Sequence, residues 1–397
     1  MLRSISFGEH MIRFLTSGES HGQYLVATIE GIPSGLALSS DFINRDLARR
    51  QTGYGVGKRM QIETDEAEIV TGVRFGKTLG SPITMLIKNR DWVNWQEKMS
   101  VTPVEPHVAE PITAPRPGHA DLAGALKYNH RDMRNILERA SARETAARVA
   151  IGSVCRAFLE QFGIQVFSYV VSIGSVHMES TRKNIKTLQR CAEASIVRCP
   201  CKATEEKMIR LIDAAKKRGD TLGGVFVVVA DGVPPGLGSH IQWDVRLDGR
   251  LAQAIMSIQA IKGVEIGMGF EAAQRSGKNV HDEVRYNRRK GKFYRTTNNA
   301  GGIEGGISNG EPIVLRAAMK PIATLYAPLR SVDIFTKKAV PAVVERSDIC
   351  RVPSAAVIGE AMVCIVLAQA LREKYGGDSM REALENYASY LRYVHGF

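Results

Sequence analysis

The feature that most constrains the fold is the stretch from residue 355 to residue 370, apolar along nearly its whole length and broken only by Gly359, Glu360 and Gln369. It falls short of the ~20 apolar residues that a membrane-spanning helix needs, so it reads as a buried helix. A helix without a polar face has to be enclosed by the rest of the chain. With 397 residues, 44% of them hydrophobic and 24% charged, the chain can build one large core or two domains, and the composition argues against disorder.

Short β-like runs at 24–29, 83–87, 166–171, 225–229 and 313–316 are bounded by Gly and Pro, the pattern of strands. Helices are predicted at 41–50, 141–161, 205–218, 249–261, 355–373 and 379–393, several of them with apolar residues three and four apart. The class is therefore mixed α and β. No Pro- or Ser-rich linker and no repeat of fixed period divides the chain, which favours one compact unit. Loops at 51–59, 111–118, 285–295 and 298–310 carry Gly, the first three with basic residues as well, and loops on a rigid scaffold are where binding groups tend to sit.

The 53 Lys and Arg outnumber the 41 Asp and Glu, a net charge of +12 that suits an anionic partner without saying which kind. Cysteines at 155, 191, 199, 201, 350 and 364 are too sparse for a disulfide-stapled secreted fold and fit a reducing cytoplasm. The first ten residues contain no apolar core of signal-peptide length.

Four motifs invite more than they support. Gly267-Met268-Gly269-Phe270-Glu271-Ala272 matches a loose dinucleotide fingerprint, but no helix-period segment follows it. Gly53-Tyr54-Gly55-Val56-Gly57-Lys58 resembles a phosphate loop, yet the spacing to Lys58 is wrong and Arg59 stands where Ser or Thr should be. Cys199-Pro200-Cys201 with Cys191 lacks a second ligand pair, so no metal site is expected. The segment 285–295 interleaves aromatics with cations as single-strand nucleic-acid binders do; a solvated loop or a lid over an anionic ligand is the preferred reading.

Five separated segments combine a Gly-rich or turn-forming backbone with His, Arg, Ser or Asp: Gly18-Glu19-Ser20-His21-Gly22, Arg49-Arg50-Gln51-Thr52-Gly53, Arg116-Pro117-Gly118-His119-Ala120-Asp121, Arg139-Ala140-Ser141-Ala142-Arg143-Glu144 and Glu345-Arg346-Ser347-Asp348. Each alone has a structural explanation. An Arg pair at a helix end complements the dipole, and Ser141 with Glu144 three residues on reads as a capping box. Together they are what a site for phosphate and carboxylate groups requires.

The first, third and fourth of these segments, in this order, resemble the signatures of the chorismate synthases. The stretches Gln259-Ala260-Ile261-Lys262-Gly263, Asn298-Asn299-Ala300-Gly301-Gly302-Ile303-Glu304-Gly305-Gly306 and Lys320-Pro321-Ile322-Ala323-Thr324 are similar to further parts of that family. The resemblance runs from Met11 onward and is thinnest across 175–215, which makes residues 1–10 an extension and 11–397 a single catalytic domain. It implies an α+β fold, a β-α-β sandwich in which antiparallel sheets flank a helical layer, assembled as a homotetramer in the cytoplasm.

The implied reaction is the last step of the shikimate pathway, an anti 1,4-elimination of phosphate from 5-enolpyruvylshikimate 3-phosphate that gives chorismate. It needs reduced FMN but involves no net redox change. By resemblance, FMN would meet Arg139, Ala140, Ser141, Gln259, Ala260, Gly305, Lys320, Pro321, Ile322, Ala323, Thr324 and Arg346. Substrate would meet Ser20 and the arginines Arg50, Arg143 and Arg346, and guanidinium groups suit bidentate binding of carboxylate and phosphate. His21 would act as general acid beside the leaving phosphate, His119 would stand near the flavin, and Asp348 would serve as base through the flavin N5. Histidine suits such work because its ordinary pKa, about 6.5, lies near neutral pH. A structural reading of Asp348 is a partner for Arg346.

The chain departs from the family at Val56, where many relatives carry a second phosphate-loop arginine that Lys58 or Arg59 would replace, and at Ser347, where the residue type varies among relatives. No segment is long enough to be a flavin-reductase domain, so reduced flavin is expected from a separate protein, with NADPH only an indirect reductant. Two rival readings are a flavin oxidoreductase consuming NAD(P)H and a nucleic-acid-binding protein centred on 285–295. The second leaves the His and Arg motifs without a role, and neither nucleic acid nor membrane is an expected partner.

Overall fold

A computed structural model describes residues 12–55, 64–105, 110–179, 183–289, 291–345 and 348–397. The proposed extension, Val56, Lys58, Arg59, Arg346 and Ser347 lie outside the described residues.

Strands β1 (Arg13–Ser17), β2 (Tyr24–Glu30), β3 (Ala67–Ile69) and β4 (Ile83–Lys88) form an antiparallel sheet in the order β1-β2-β4-β3. A second antiparallel sheet contains β5 (Gln165–Ile173), β6 (Val176–His177), β7 (Gly224–Asp231), β8 (Ile261–Ile266) and β9 (Ile313–Met319), in the order β8-β9-β7-β5-β6. The central strand β7 is Val-rich and buried on both faces, so it shows no in-out alternation. This is the pattern expected where both faces of a sheet are covered.

Helices are α1 (Ser40–Gln51), α2 (Asp121–Tyr128), α3 (Arg134–Ala140), α4 (Thr145–Glu160), α5 (Ile185–Ala194), α6 (Lys202–Lys217), α7 (Leu247–Met256), α8 (Val352–Tyr375) and α9 (Met380–Gly396). Helix α4 packs on β2 and against α8, and α8 in turn packs on β5 and β7. The opposite face of the second sheet is covered in part by Leu188 of α5, against Phe167, Val227 and Val229.

The apolar stretch is the middle of α8. The whole helix, longer than the stretch read from the sequence, is long and apolar enough to cross a membrane, but 94% of its most apolar window is buried inside the protein. Gly359 allows the close approach to the sheet, since a Cβ there would fall 2.8 Å from the Phe226 ring.

Glu360, the charge that interrupts the stretch, is fully buried. It accepts from Arg49 Nη1 and Nη2 at 2.8 and 2.9 Å, Arg156 Nη2 at 2.6 Å, Arg198 Nη2 at 3.1 Å and Ser168 Oγ at 2.6 Å. Burial alone would raise its pKa, but the surrounding Arg49, Arg156 and Arg198 charges hold it down at about 2. Breaking a buried pair by removing one partner costs about 3–5 kcal/mol, so Glu360→Gln is expected to destabilise the fold by that order in denaturant unfolding. Because the folded-state pKa is depressed, the contribution is present above the ordinary carboxylate range and is lost as pH falls through it towards 2. The gap between wild type and Glu360→Gln should narrow over that interval, and a gap independent of pH would contradict the assignment.

Three sequence expectations are corrected. The helix expected at 249–261 ends at Met256, and Ile261 already opens β8, after Ala260 at φ +67°. Ser141 caps a separate 3-10 turn, Ala142–Glu144, ahead of α4, and the Glu144 carboxylate binds Thr16, Arg148 and Gln259 instead of completing a capping box. The segment 285–295, expected as a loop, holds most of a hairpin of Val284–Asn287 with Lys292–Arg295.

Candidate active site

The turn between β1 and β2 presents Ser20 and His21. Gly18 makes the turn possible with φ +100°, and a Cβ there would fall 2.3 Å from the Tyr24 carbonyl oxygen. The middle of the turn is tied to α3, since Ser20 N donates to the Glu138 carbonyl at 3.0 Å and His21 N to Glu138 Oε2 at 2.8 Å. His21 Nδ1 lies 2.8 Å from Glu138 Oε1, and its ring stacks on Trp95 with centroids 3.7 Å apart. Burial alone would raise the Glu138 pKa, but the hydrogen bond and charge of His21, with Arg134 adding to them, bring it below the usual range. With Nδ1 committed to a carboxylate, Nε2 is the nitrogen through which His21 can exchange a proton with a ligand.

His119 is built in the same manner on the segment leading into α2. Its Nδ1 is 2.6 Å from Oδ1 of Asp121, the first residue of that helix and fully buried. Asp121 also accepts from Arg116 N at 3.0 Å, Nε at 2.9 Å and Nη2 at 3.1 Å. Burial works against its charge, yet the His119 and Arg116 hydrogen bonds prevail and hold the carboxyl well below the usual range. Arg116 Nη1 reaches Thr324 Oγ1 at 2.9 Å, and Lys320 Nζ donates to the Gly118 carbonyl at 3.0 Å. The 320–324 segment is thereby tied to the turn bearing His119.

Arg50 lies in the last turn of α1 and is 2% exposed, pairing with Asp65. Arg49, its neighbour, turns the other way to Glu360. Arg143, in the 3-10 turn after Ser141, donates to the Ser20 carbonyl at 2.9 Å and lies 3.4 Å from Asp65. One carboxylate is thus shared by two buried guanidinium groups. Arg50 Nε is buried without a hydrogen-bond partner among the described residues. Burial lowers the Arg50 pKa; Asp65 pulls it up, and the nearby Arg351 and Arg143 charges push it further down.

These groups line one cleft of about 1430 Å³. Ser20, His21, Arg50, His119, Ala140, Ser141, Arg143, Gln259, Ala260, Lys320, Ile322, Ala323, Thr324 and Asp348 all face it. Arg139 does not, because its guanidinium donates to the Thr16 and Gly18 carbonyls at 2.8 and 3.0 Å. Pro321 and Gly305 also lie outside the lining, the latter in the turn between Ile303–Glu304 and Ile307–Ser308. No described residue of the 285–295 hairpin, the candidate lid, faces the cleft. Asp348 pairs with Arg351 at 2.6 Å, a partner the sequence reading did not consider.

Sequence reasoning also missed Asp65, Trp95, Glu138 and the tasks of Arg116 and Asp121. The last two flank His119 within its own motif, and Glu138 immediately precedes Arg139, so proximity to those motifs was a usable signal. Asp65 and Trp95 offered none.

The chorismate synthase family model matches residues 12–371. A chorismate synthase of Geobacter sulfurreducens is 58% identical, over 98% of this chain and 100% of the relative. One of Aquifex aeolicus is 58% identical, over 97% of this chain and 99% of its own. A chorismate synthase crystal structure superposes with a TM-score of 0.79 at 49% identity, covering 97% of this chain and 99% of the other.

Proposed function

The chain belongs to the chorismate synthase family, enzymes of the final step of the shikimate pathway, and on that premise we propose that it eliminates phosphate from 5-enolpyruvylshikimate 3-phosphate with reduced FMN and no net redox change. The observation that carries this reading is the pair Arg50 and Arg143, both buried, sharing Asp65 in a cleft, with one Arg50 N–H unmatched among the described residues. Buried like charges side by side are costly until an anion joins them. The substrate carries a phosphate and two carboxylates.

The cleft suits a second ligand as well. Small-molecule sites measure about 300–1,000 Å³, and this one is larger. Gln259 Oε1 is a buried acceptor without a donor among the described residues, while its Nε2 is held by Glu144 at 3.2 Å. A flavin ring carries an N–H donor of the kind this acceptor lacks, and Lys320 supplies a cation for the cofactor's phosphate. Ala140, Ser141, Ala260 and Ile322 to Thr324 provide small or apolar lining around them. Bound reduced FMN supplies transient electron density to the departing allylic phosphate.

The protein's own groups then have distinct tasks. Arg50 and Arg143 hold the anionic substrate, and Ser20 is fixed beside them by Ser141 Oγ at 3.1 Å. His21, its ring fixed by Glu138 and Trp95, gives a proton to the leaving phosphate. His119, oriented by Asp121, holds a proton on the cofactor side of the cleft, and Asp348 is the base. Supporting the sandwich arrangement are the contacts of α4 with the first sheet and α8 with the second. A homotetramer, a cytoplasmic location and a separate source of reduced flavin complete the proposal.

The test is anaerobic: protein, chemically reduced FMN and 5-enolpyruvylshikimate 3-phosphate, with an oxidised-FMN control. Equal release of phosphate and chorismate, only with reduced flavin and without net flavin oxidation, is expected. FMN reduction by NADPH with this chain alone would overturn the separate source of flavin, and no release despite binding of both ligands would overturn the elimination.

A further inference from the structure

Arg351 belongs to none of the motifs read from the sequence, yet it lines the same cleft as Arg50 and Arg143. It immediately precedes α8, where Nη1 donates to Ser354 Oγ at 3.2 Å, and its side chain is 16% exposed. Nε stands 2.6 Å from Asp348 Oδ2. The position is close enough to Arg50 for the Arg351 charge to disfavour protonation there, after the larger effect of burial.

Arg50, Arg143 and Arg351 therefore bring three positive charges to one wall, against Asp65 and Asp348. Among the described residues lining the cleft, the cations Arg50, Arg116, Arg143, Lys216, Lys320 and Arg351 outnumber the carboxylates Asp65, Asp213, Glu345 and Asp348. Gathered guanidinium groups with too few carboxylates repel one another until a further anion arrives, and a guanidinium can bind such an anion through one edge while another edge holds a carboxylate.

We propose that Arg351 is a further anion-binding residue of the cleft, taking a phosphate or carboxylate of the substrate alongside Arg50 and Arg143, and at the same time the positioning residue for Asp348. The inference rests on the reading of the cleft given above and extends it to a residue that the family resemblance did not supply. Two consequences differ in kind. Loss of the anion contact weakens substrate binding, whereas loss of the Asp348 partner lowers turnover, and only the second depends on Asp348 being a carboxylate.

The experiment compares wild type, Arg351→Met, Asp348→Asn and the double variant. Inorganic phosphate and FMN are titrated separately, and steady-state kinetics are run with reduced FMN. Arg351→Met is expected to raise the phosphate Kd and the substrate KM at least ten-fold, with FMN affinity within two-fold of wild type. It should lower kcat in the wild-type background but not further in Asp348→Asn, the signature of action through that carboxylate. Unchanged phosphate and substrate titrations would overturn the anion contact, and an equal kcat loss in both backgrounds would overturn the positioning role. FMN affinity falling in parallel with phosphate affinity would mark a structural role and overturn both.

If Arg351→Met does not fold, Arg351→Lys keeps the charge without the planar fork. Its phosphate affinity should fall below that of wild type, and equality would overturn the contact. A wild type that binds phosphate through Arg351 without turning over the substrate would leave this inference standing and sink the proposed reaction. A wild type that turns over while Arg351→Met titrates normally would do the reverse.

Discussion

Asp121→Asn is expected to lower kcat by roughly 10²–10⁴-fold, close to the effect of His119→Ala, because acid-base groups contribute on that order and lose it when misoriented. The carboxylate accepts from His119 Nδ1 and from three nitrogens of Arg116. An asparagine offers one acceptor oxygen and presents an NH₂ where a second acceptor is needed. Either Arg116, itself 8% exposed, loses a partner in the interior, or His119 is turned towards the other tautomer. Since His119 and Arg116 outweigh burial in setting the Asp121 charge, the native carboxylate stays ionised across the neutral range, and its support for His119 is constant there. Phosphate release at saturating ligand, with a thermal melt to verify folding, is the measurement. FMN affinity should survive both substitutions. A rate within three-fold of wild type for His119→Ala would remove the histidine from the chemistry. A slow Asp121→Asn beside a normal His119→Ala would mean that the aspartate acts through Arg116.

What could be read from the sequence divides along a physical line. The strand runs and the α8 stretch were legible because burial imposes local composition: Val225 to Val229 must be apolar when both faces of β7 are covered. The groups facing the cleft were legible where one short segment carries both the functional residue and the turn that presents it, as with His21 and His119. Contacts that join distant segments leave no local trace. Asp65 gains its meaning from Arg50 and Arg143, which lie on other elements, and Trp95 from a stack on His21. Arg139 shows the converse, since its segment lines the cleft but the side chain is drawn off by the carbonyls of Thr16 and Gly18. The capping box failed for a related reason: Glu144 found better partners in Arg148 and Gln259 than the backbone it was expected to cap. Glu360, an interruption of the apolar pattern, could be located but not interpreted, because the three arginines that justify it come from α1, α4 and the segment after α5.

Arg50→Ala should raise the substrate KM by about 10²-fold while changing FMN affinity little. A cation ~4 Å from an anion is worth about 4 kcal/mol at an effective dielectric near 20, and desolvation and the remaining arginines reduce what its loss costs. Each tenfold in affinity corresponds to about 1.4 kcal/mol, so a loss of two decades is consistent with that bound. The effect is confined to substrate because Arg50 and the FMN-side groups occupy different segments: Gln259 is held by Glu144 and Lys320 by the Gly118 carbonyl, neither through Arg50. Asp65 is not stranded, since Arg143 stands 3.4 Å away, and the protein should fold. That second guanidinium also sets the diagnostic. If Asp65 and Arg143 close on one another when Arg50 is removed, Arg143 becomes less available to the ligand, and the loss in the double variant with Arg143→Ala will be smaller than the sum of the single losses. A substrate titration unchanged by Arg50→Ala would show that the buried pair serves the fold alone, and the anion site would then have to be sought around Arg351 and Lys320.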